Sequence, residues 1–248
     1  MKFRLKALGW HFAVSATALL VILGTLYMGW YRWPGWYLAG MLTILPIVVA
    51  VDAALGPLMT FIIANPSKPR TELGRDISVI AGVQILALVY GAFTLWSGRP
   101  LYYVYSGLQL SMVQASDIGP AEINLARQAN PDLAPYWYSR PRWVYVPNSG
   151  NGKSTLEQAA ATRGISELTP SDMRPWSQGT ADLRKSLKKM SAWEYFSVPQ
   201  KAALKQRMAA QGYAVDAANT IPVIGKGPPL LAIVDTNTMT IQALLRCD

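Results

Sequence analysis

Hydrophobic positions gather into three long stretches at the start of the chain and then thin into short alternating runs. Ala7 to about Trp30 is apolar and follows Lys2, Arg4 and Lys6. That length crosses roughly 30 Å of hydrocarbon. Tyr27, Trp30, Tyr31 and Trp33 crowd the place where a small-x-small cleavage site would sit, so the segment reads as an uncleaved anchor. Tyr37 to Ala64 carries Asp52 as its only charge. At about 1.5 Å per residue it exceeds one perpendicular crossing, so it must tilt or break, and Pro46 and the Gly56-Pro57 pair are the predicted kinks. Ile77 to Ser97 forms the third span, bounded by Arg75 and Asp76 before it and by Gly98-Arg99-Pro100 after it.

Beyond Ser97 the period shortens. Leu101 to Ser106 and Leu108 to Gln114 alternate as two strands around a Ser106-Gly107 turn. Pro120 to Gln128 reads as a short helix with proline in its first turn, and Arg142 to Val146 as a strand. Ser154 to Thr162, Thr180 to Met190 and Val198 to Gln211 are predicted helices, the last framed by Pro199 at its start and Gly212 at its C-cap. Pro229 to Val234 and Met239 to Leu245 flank Asp235-Thr236-Asn237-Thr238 as a hairpin. The predicted fold is that of a membrane protein, with three transmembrane α-helices in residues 1–97 (about 7–30, 37–64 and 77–97) followed by a small α+β extracytoplasmic domain, 98–248.

Basic residues orient the spans. Lys2, Arg4 and Lys6, with Lys68, Arg70 and Arg75, stand against Arg32 alone in the remaining loop, which places the amino terminus and residues 65–76 in the cytoplasm and everything after Ser97 outside. Trp30, Tyr31, Trp33, Trp36 and Tyr37 are then expected to form an aromatic belt at the outer interface. With 51% hydrophobic and 15% charged residues, the chain is too apolar for disorder and too weakly charged for an ordinary soluble enzyme. A single cysteine, Cys247, excludes a disulfide framework within one chain. One histidine, His11, at the membrane edge of a helix, excludes a Cys/His metal cluster and leaves little room for a catalytic Ser-His or Cys-His pair. No cofactor is expected.

Asp52 is the sharpest candidate. An ionised, unpaired carboxylate in mid-span costs several kcal/mol, so it must be protonated, paired, or turned toward a protein-lined or wet interior. Two roles stay open: hydrogen bonding inside the three-helix bundle, and contact with a partner. One carboxylate in three spans makes a poor proton or ion relay. Thr60 and Gln84 are its candidate polar partners, and Gly82, Ala87 and Gly91 are small enough for close helix approach.

Asn148 to Thr155 superficially resembles a phosphate loop, but the pattern needs glycine at 147 and finds Pro147, so no nucleotide is expected. Arg184, Lys185, Lys188 and Lys189 are predicted on one basic helix face, and Lys201, Lys205 and Arg207 on another. A solvated face is the default and anionic membrane lipid or an acidic protein surface the alternative. Residues 98–248 hold 16 basic and 11 acidic side chains, a modest excess without a recognisable binding module, so no nucleic acid is expected. Tyr136, Trp137, Tyr138, Trp143 and Tyr145, with Arg140 and Arg142, are core packing or, where exposed, a protein-binding surface.

Three membrane segments carry a resemblance: the basic start Met1 to Ala7, Val51-Asp52-Ala53-Ala54-Leu55-Gly56-Pro57-Leu58-Met59-Thr60, and Val83 to Gly91 followed by Gly98-Arg99-Pro100. In these the chain resembles the type IV pilin accessory proteins of the TfpX/TfpZ type, and the likeness extends through Val113 to Ile118. The resemblance implies an inner-membrane protein of a Gram-negative bacterium, with a periplasmic carboxyl-terminal domain, that assists the stability, fibre assembly or retraction of a type IV pilin. It carries over no catalytic residues; Asp52, Gly56, Pro57 and Gln84 transfer as motif positions only. The competing class is a membrane-anchored envelope enzyme or transporter. That class would need converging acid and base groups, whereas Asp117, Glu122, Glu157, Glu167 and Glu194 are scattered without a motif.

Overall fold

The computed structural model describes residues 1–64, 67–107, 109–149, 153–154 and 170–247, which divide into two compact units. Met1–Gly29 and Met41–Ser97 make the first unit, and Trp30–Gly40 and Gly98–Asp248 the second.

In the first unit, long apolar runs with little punctuation favour continuous helix. Helix α1 runs Lys2–Leu26 and ends in a π-helical turn, Tyr27–Tyr31. A short helix α2, Gly35–Leu38, follows in the second unit and is cut off by Gly40 at φ +72°. The second apolar helix therefore starts at Met41 instead of Tyr37. It runs as α3 (Met41–Val49), a π-helical turn (Ala50–Leu55) and α4 (Gly56–Ile63). Helix continues through Pro46, so the irregularity lies in the wider π turn that meets Gly56-Pro57. Helix α5, Arg70–Ser97, begins seven residues earlier than its apolar run, because Lys68 pairs with Glu72 at 3.4 Å and Asp76 at 2.7 Å across its first turns. Among the described residues three helices, Lys2–Tyr31, Met41–Ile63 and Thr71–Ser97, are long and apolar enough to cross a membrane.

The second unit is built on a mixed sheet. Strands β1 (Pro100–Tyr105) and β2 (Leu110–Gln114) form the expected antiparallel hairpin around Gly107, whose φ of +99° favours glycine. Helix α6 (Pro120–Ala129) leads to β3 (Arg142–Tyr145), which lies parallel to β1. A separate two-stranded ladder joins β4 (Asn148–Ser149) to β5 (Lys153–Ser154). The helix predicted over Ser154 to Thr162 lies, apart from Ser154, outside the described residues. Strand β6 (Arg174–Pro175) extends β3, and helices α7 (Thr180–Ser186) and α8 (Val198–Ala210) follow. Strands β7 (Thr220–Ile224), β8 (Leu230–Val234) and β9 (Ile241–Arg246) complete the order β6-β3-β1-β2-β7-β8-β9.

Central strands buried on both faces need continuous apolar sequence, and β1 and β8 are buried at every position. Leu101, Val104, Val113, Ile118, Val144 and Met173 form a core against which Ile123 of α6 packs. Helix α8 is framed as expected by Pro199 in its first turn and by Gly212, at φ +77°, just past its end, and Ser197 and Gln200 add a capping box. Helix α7 is shorter than predicted. Leu187 turns extended, and Lys188 exchanges backbone hydrogen bonds with Thr220, so Arg184 and Lys188 do not share a basic helix face.

Of the residues expected in the aromatic belt, Trp33 is exposed and two tyrosines turn inward. Tyr31 and Tyr37 are buried within the second unit, with the Arg246 guanidinium 5.1 Å from the Tyr37 ring centroid. Leu38 and Gly40 pack against the β7–β8 turn, where the Gly227 amide donates to the Leu38 carbonyl at 2.7 Å. Added Cβ atoms at Gly225 and Gly227 would overlap the Leu38 and Tyr37 carbonyl oxygens, so both positions demand glycine for close approach.

Candidate functional site

Helical periodicity brings His11, Ser15 and Ala18 to one face of α1, and Asp52, Gly56 and Thr60 to one face of the second apolar helix. These faces meet Gln84 of α5. Nδ1 of His11 lies 2.5 Å from the Thr60 hydroxyl, and Nε2 of His11 bonds the Gln84 amide oxygen. The Gln84 amide nitrogen in turn donates to the Asp52 backbone carbonyl at 3.3 Å. An amide oxygen only accepts, so Nε2 of His11 is the donor to Gln84. The result is one hydrogen-bond chain through all three helices.

Its last link has a backbone cause. A π register offers the carbonyl of residue 52 to the N–H of residue 57, and residue 57 is proline, which has none. Gln84 supplies the missing donor. Gly56 makes room for it, since a Cβ there would overlap the Gln84 amide. By contrast, an added Cβ at Gly82 or Gly91 meets nothing within 4 Å, so these small residues do not mark the close approach that sequence led us to expect.

The Asp52 side chain stands apart from this chain. It is 6% exposed, and among the described residues no donor meets its carboxylate. It lines a cavity of ≈ 170 Å³ with His11, Ser15, Ala81, Gln84 and Leu88. Thus the structure joins Thr60, Gln84, Gly56 and Pro57 around Asp52, and it adds His11, which its place in an apolar run had set aside. A signal for it existed: His11 and Ser15 are the polar pair at i,i+4 on α1.

In the second unit the aromatic and basic candidates separate. Tyr136 to Ser139 is a tight turn in which the Tyr136 amide donates to the Ser139 hydroxyl at 2.9 Å and the Ser139 amide to the Tyr136 carbonyl at 3.1 Å. Tyr136 and Tyr138 stack at 5.5 Å, Trp137 meets Tyr138 edge-on, and Arg127 covers Tyr136 at 5.3 Å. Trp137 is 69% and Tyr138 59% exposed, with Arg140 exposed beside them. Trp143 is not on this surface; it is held between Tyr103 (4.5 Å) and Trp176 (5.8 Å). Tyr145 is buried, and its hydroxyl donates to the Asp182 carboxylate, which holds that carboxyl below its usual range. Burial first, then this bond to Asp182, pushes the Tyr145 phenol up to about 12. Arg184 is exposed on α7, and Lys188 lies over Trp193 at 5.0 Å.

The acidic candidates are dispersed as well. Asp117 accepts from the Gln114 amide at 2.8 Å and pairs with Lys226 at 3.0 Å, a structural engagement. Glu122 is on α6, Glu194 is exposed, and Glu157 and Glu167 lie outside the described residues. The Asn148 to Thr155 segment is described only at 148–149 and 153–154.

No protein-family profile and no solved structure matches this chain. Three proteins of Dichelobacter nodosus are similar to it. The fimbrial assembly protein of serogroup I is 27% identical over 155 residues, covering 62% of this chain and 59% of that protein, so this match reaches less than two thirds of the relative. The fimbrial assembly protein of serogroup E1 is 24% identical over a 251-residue alignment, covering 99% of this chain and 96% of that protein. The fimbrial assembly protein of serogroups C1 and C2 is 30% identical over 116 residues, 47% of this chain and 88% of that protein. Similarity thus extends along the whole length, past the membrane segments that carried the first resemblance, and the chain belongs to the fimbrial assembly protein family.

Proposed function

We propose that this chain is a non-enzymatic inner-membrane accessory protein of type IV pilus assembly, akin to the TfpX/TfpZ type, that binds the pilin subunit before or during its entry into the fibre. Its amino terminus and the segment around Lys68 face the cytoplasm, and its second unit faces the periplasm. Full-length similarity to a fimbrial assembly protein carries the reading. Three apolar helices and the basic residues flanking them support the topology. Outward side chains such as Leu20, Val21, Leu86 and Phe93 are exposed and suited to lipid.

The Asp52 cavity supports a place for the contact. A carboxylate that meets no donor among the described residues of an apolar bundle destabilises the isolated protein, and a helix that brings a donor into the cavity removes that cost. In this mechanism the second apolar helix meets the membrane helix of the pilin while the second unit meets its exported head. Two modest interfaces then act together through a high effective concentration.

The test is detergent co-purification of pilin with the full chain, alongside counts of surface pili. Asp52→Leu should remove both, and photocrosslinkers along Met41–Ile63 should capture pilin in cells. Persistent co-purification and piliation in Asp52→Leu, with no captured pilin, would overturn the proposal.

A further inference from the structure

We propose that the Tyr136 to Arg140 turn is a membrane-interface anchor whose Trp137, Tyr138 and Arg140 side chains enter the phospholipid headgroup layer. This rests on the helices crossing a membrane and is independent of the role in pilus assembly.

The indole N–H of Trp30 donates to the Ser139 carbonyl at 2.6 Å, tying the turn to Trp30, which follows Gly29 of the first apolar run in sequence. Counting along that run from Lys6, Trp30 lies about 36 Å away at 1.5 Å per residue, which is one hydrocarbon core plus the start of the headgroups. Arg99, two residues past Ser97, lies over the Trp30 ring at 5.9 Å. The turn is therefore held, within the second unit, to residues that directly follow the first and third apolar helical segments in sequence.

Its exposed side chains match that depth. Tryptophan and tyrosine favour the boundary between acyl chains and water, where an apolar ring and a polar tip are both accommodated, and arginine reaches the phosphates. The reciprocal Tyr136–Ser139 bonds and the ring stacking hold the aromatic pair out before lipid arrives, so little side-chain freedom is lost on insertion. A protein-binding surface of the same composition would have no reason to be tethered to Trp30.

The full chain in nanodiscs of phosphatidylethanolamine and phosphatidylglycerol provides the test. In a Cys247→Ser background, single nitroxide labels are placed at Tyr138→Cys, at Arg140→Cys, at Lys205→Cys on exposed α8, and at Val83→Cys on the outward face of α5. Collision with a water-soluble nickel chelate should be several-fold lower at 138 and 140 than at 205, with oxygen contact intermediate between 205 and 83. Labels at 138 and 140 as open to the chelate as 205, with 83 shielded, overturn the anchor and leave the spanning topology intact. An aqueous label at 83 overturns both. Shielding at 138 that requires added pilin assigns the turn to a protein partner and also overturns the anchor.

Discussion

The Gly56 to Gln84 contact yields a prediction with a definite sign. Gly56→Ala puts a methyl where the Gln84 amide now lies, and because that amide ends a flexible side chain, it is displaced while the helices hold. Displacement breaks its bonds to His11 and to the Asp52 carbonyl, leaving that carbonyl, already without a proline donor, unpaired. Side-chain hydrogen bonds between membrane helices are worth about 0.6 kcal/mol on average, up to ~1.7. With the orphaned carbonyl added, the loss should be roughly 1–3 kcal/mol. Gln84→Ala removes the same two bonds and should cost a similar amount. The double variant should then be no less stable than Gln84→Ala, and up to about 1 kcal/mol better from the helix preference of alanine over glycine. The assay is unfolding of the full chain in mixed micelles by SDS titration, followed by far-UV circular dichroism. Additive losses in the double variant would refute the steric account and the role of Gln84 as surrogate donor.

Asp52→Leu should stabilise the isolated chain by about 1–3 kcal/mol in the same titration while abolishing pilin capture; an equal or lower stability refutes the claim that the carboxylate is held at a cost. Gly227→Ala would press a methyl against the Tyr37 carbonyl and to 2.9 Å from the Gly40 nitrogen, so a loss of ~1–3 kcal/mol and faster proteolysis within residues 30–40 are expected, read by limited digestion and mass spectrometry. Tyr145→Phe should flatten the stability profile of the second unit at both pH extremes. Asp182, held below its usual range by the Tyr145 hydroxyl, contributes stability that is present above the unfolded carboxylate value near pH 4 and lost as pH falls through the lower folded value. Tyr145, raised to about 12, contributes stability present below pH ~10 and lost as pH rises toward 12. Near-UV circular dichroism across both limbs checks this, and profiles identical to the parent refute it.

Local order was legible along the chain. Apolar runs marked three helices of crossing length, Ser106-Gly107 marked the β1–β2 hairpin, and Pro199 with Gly212 framed α8, because periodicity, caps and turn residues act over a few positions. Strand β7 escaped notice because Pro222 disguised it. The structure admits that proline since β2 reaches only Val223 and Ile224, leaving β8 as the neighbour at Pro222. Of the candidate site, Asp52, Gly56, Thr60 and Gln84 were readable as rare polar or small positions in apolar helix, while His11 read only as a lone imidazole at a helix edge, its partners being 49 and 73 residues away.

What the sequence alone determined is therefore most of the elements, the three apolar runs of crossing length and the exceptional carboxylate among them. Tertiary structure decided which elements meet: the parallel pairings of β3 with β1 and β7 with β2, the membership of Trp30–Gly40 in the second unit, and the Thr60–His11–Gln84–Asp52 chain. The physical reason is range. Propensity and periodicity are properties of neighbours along the backbone, whereas a hydrogen bond to an orphaned carbonyl, or the gap that only a glycine leaves, exists only after distant segments have packed.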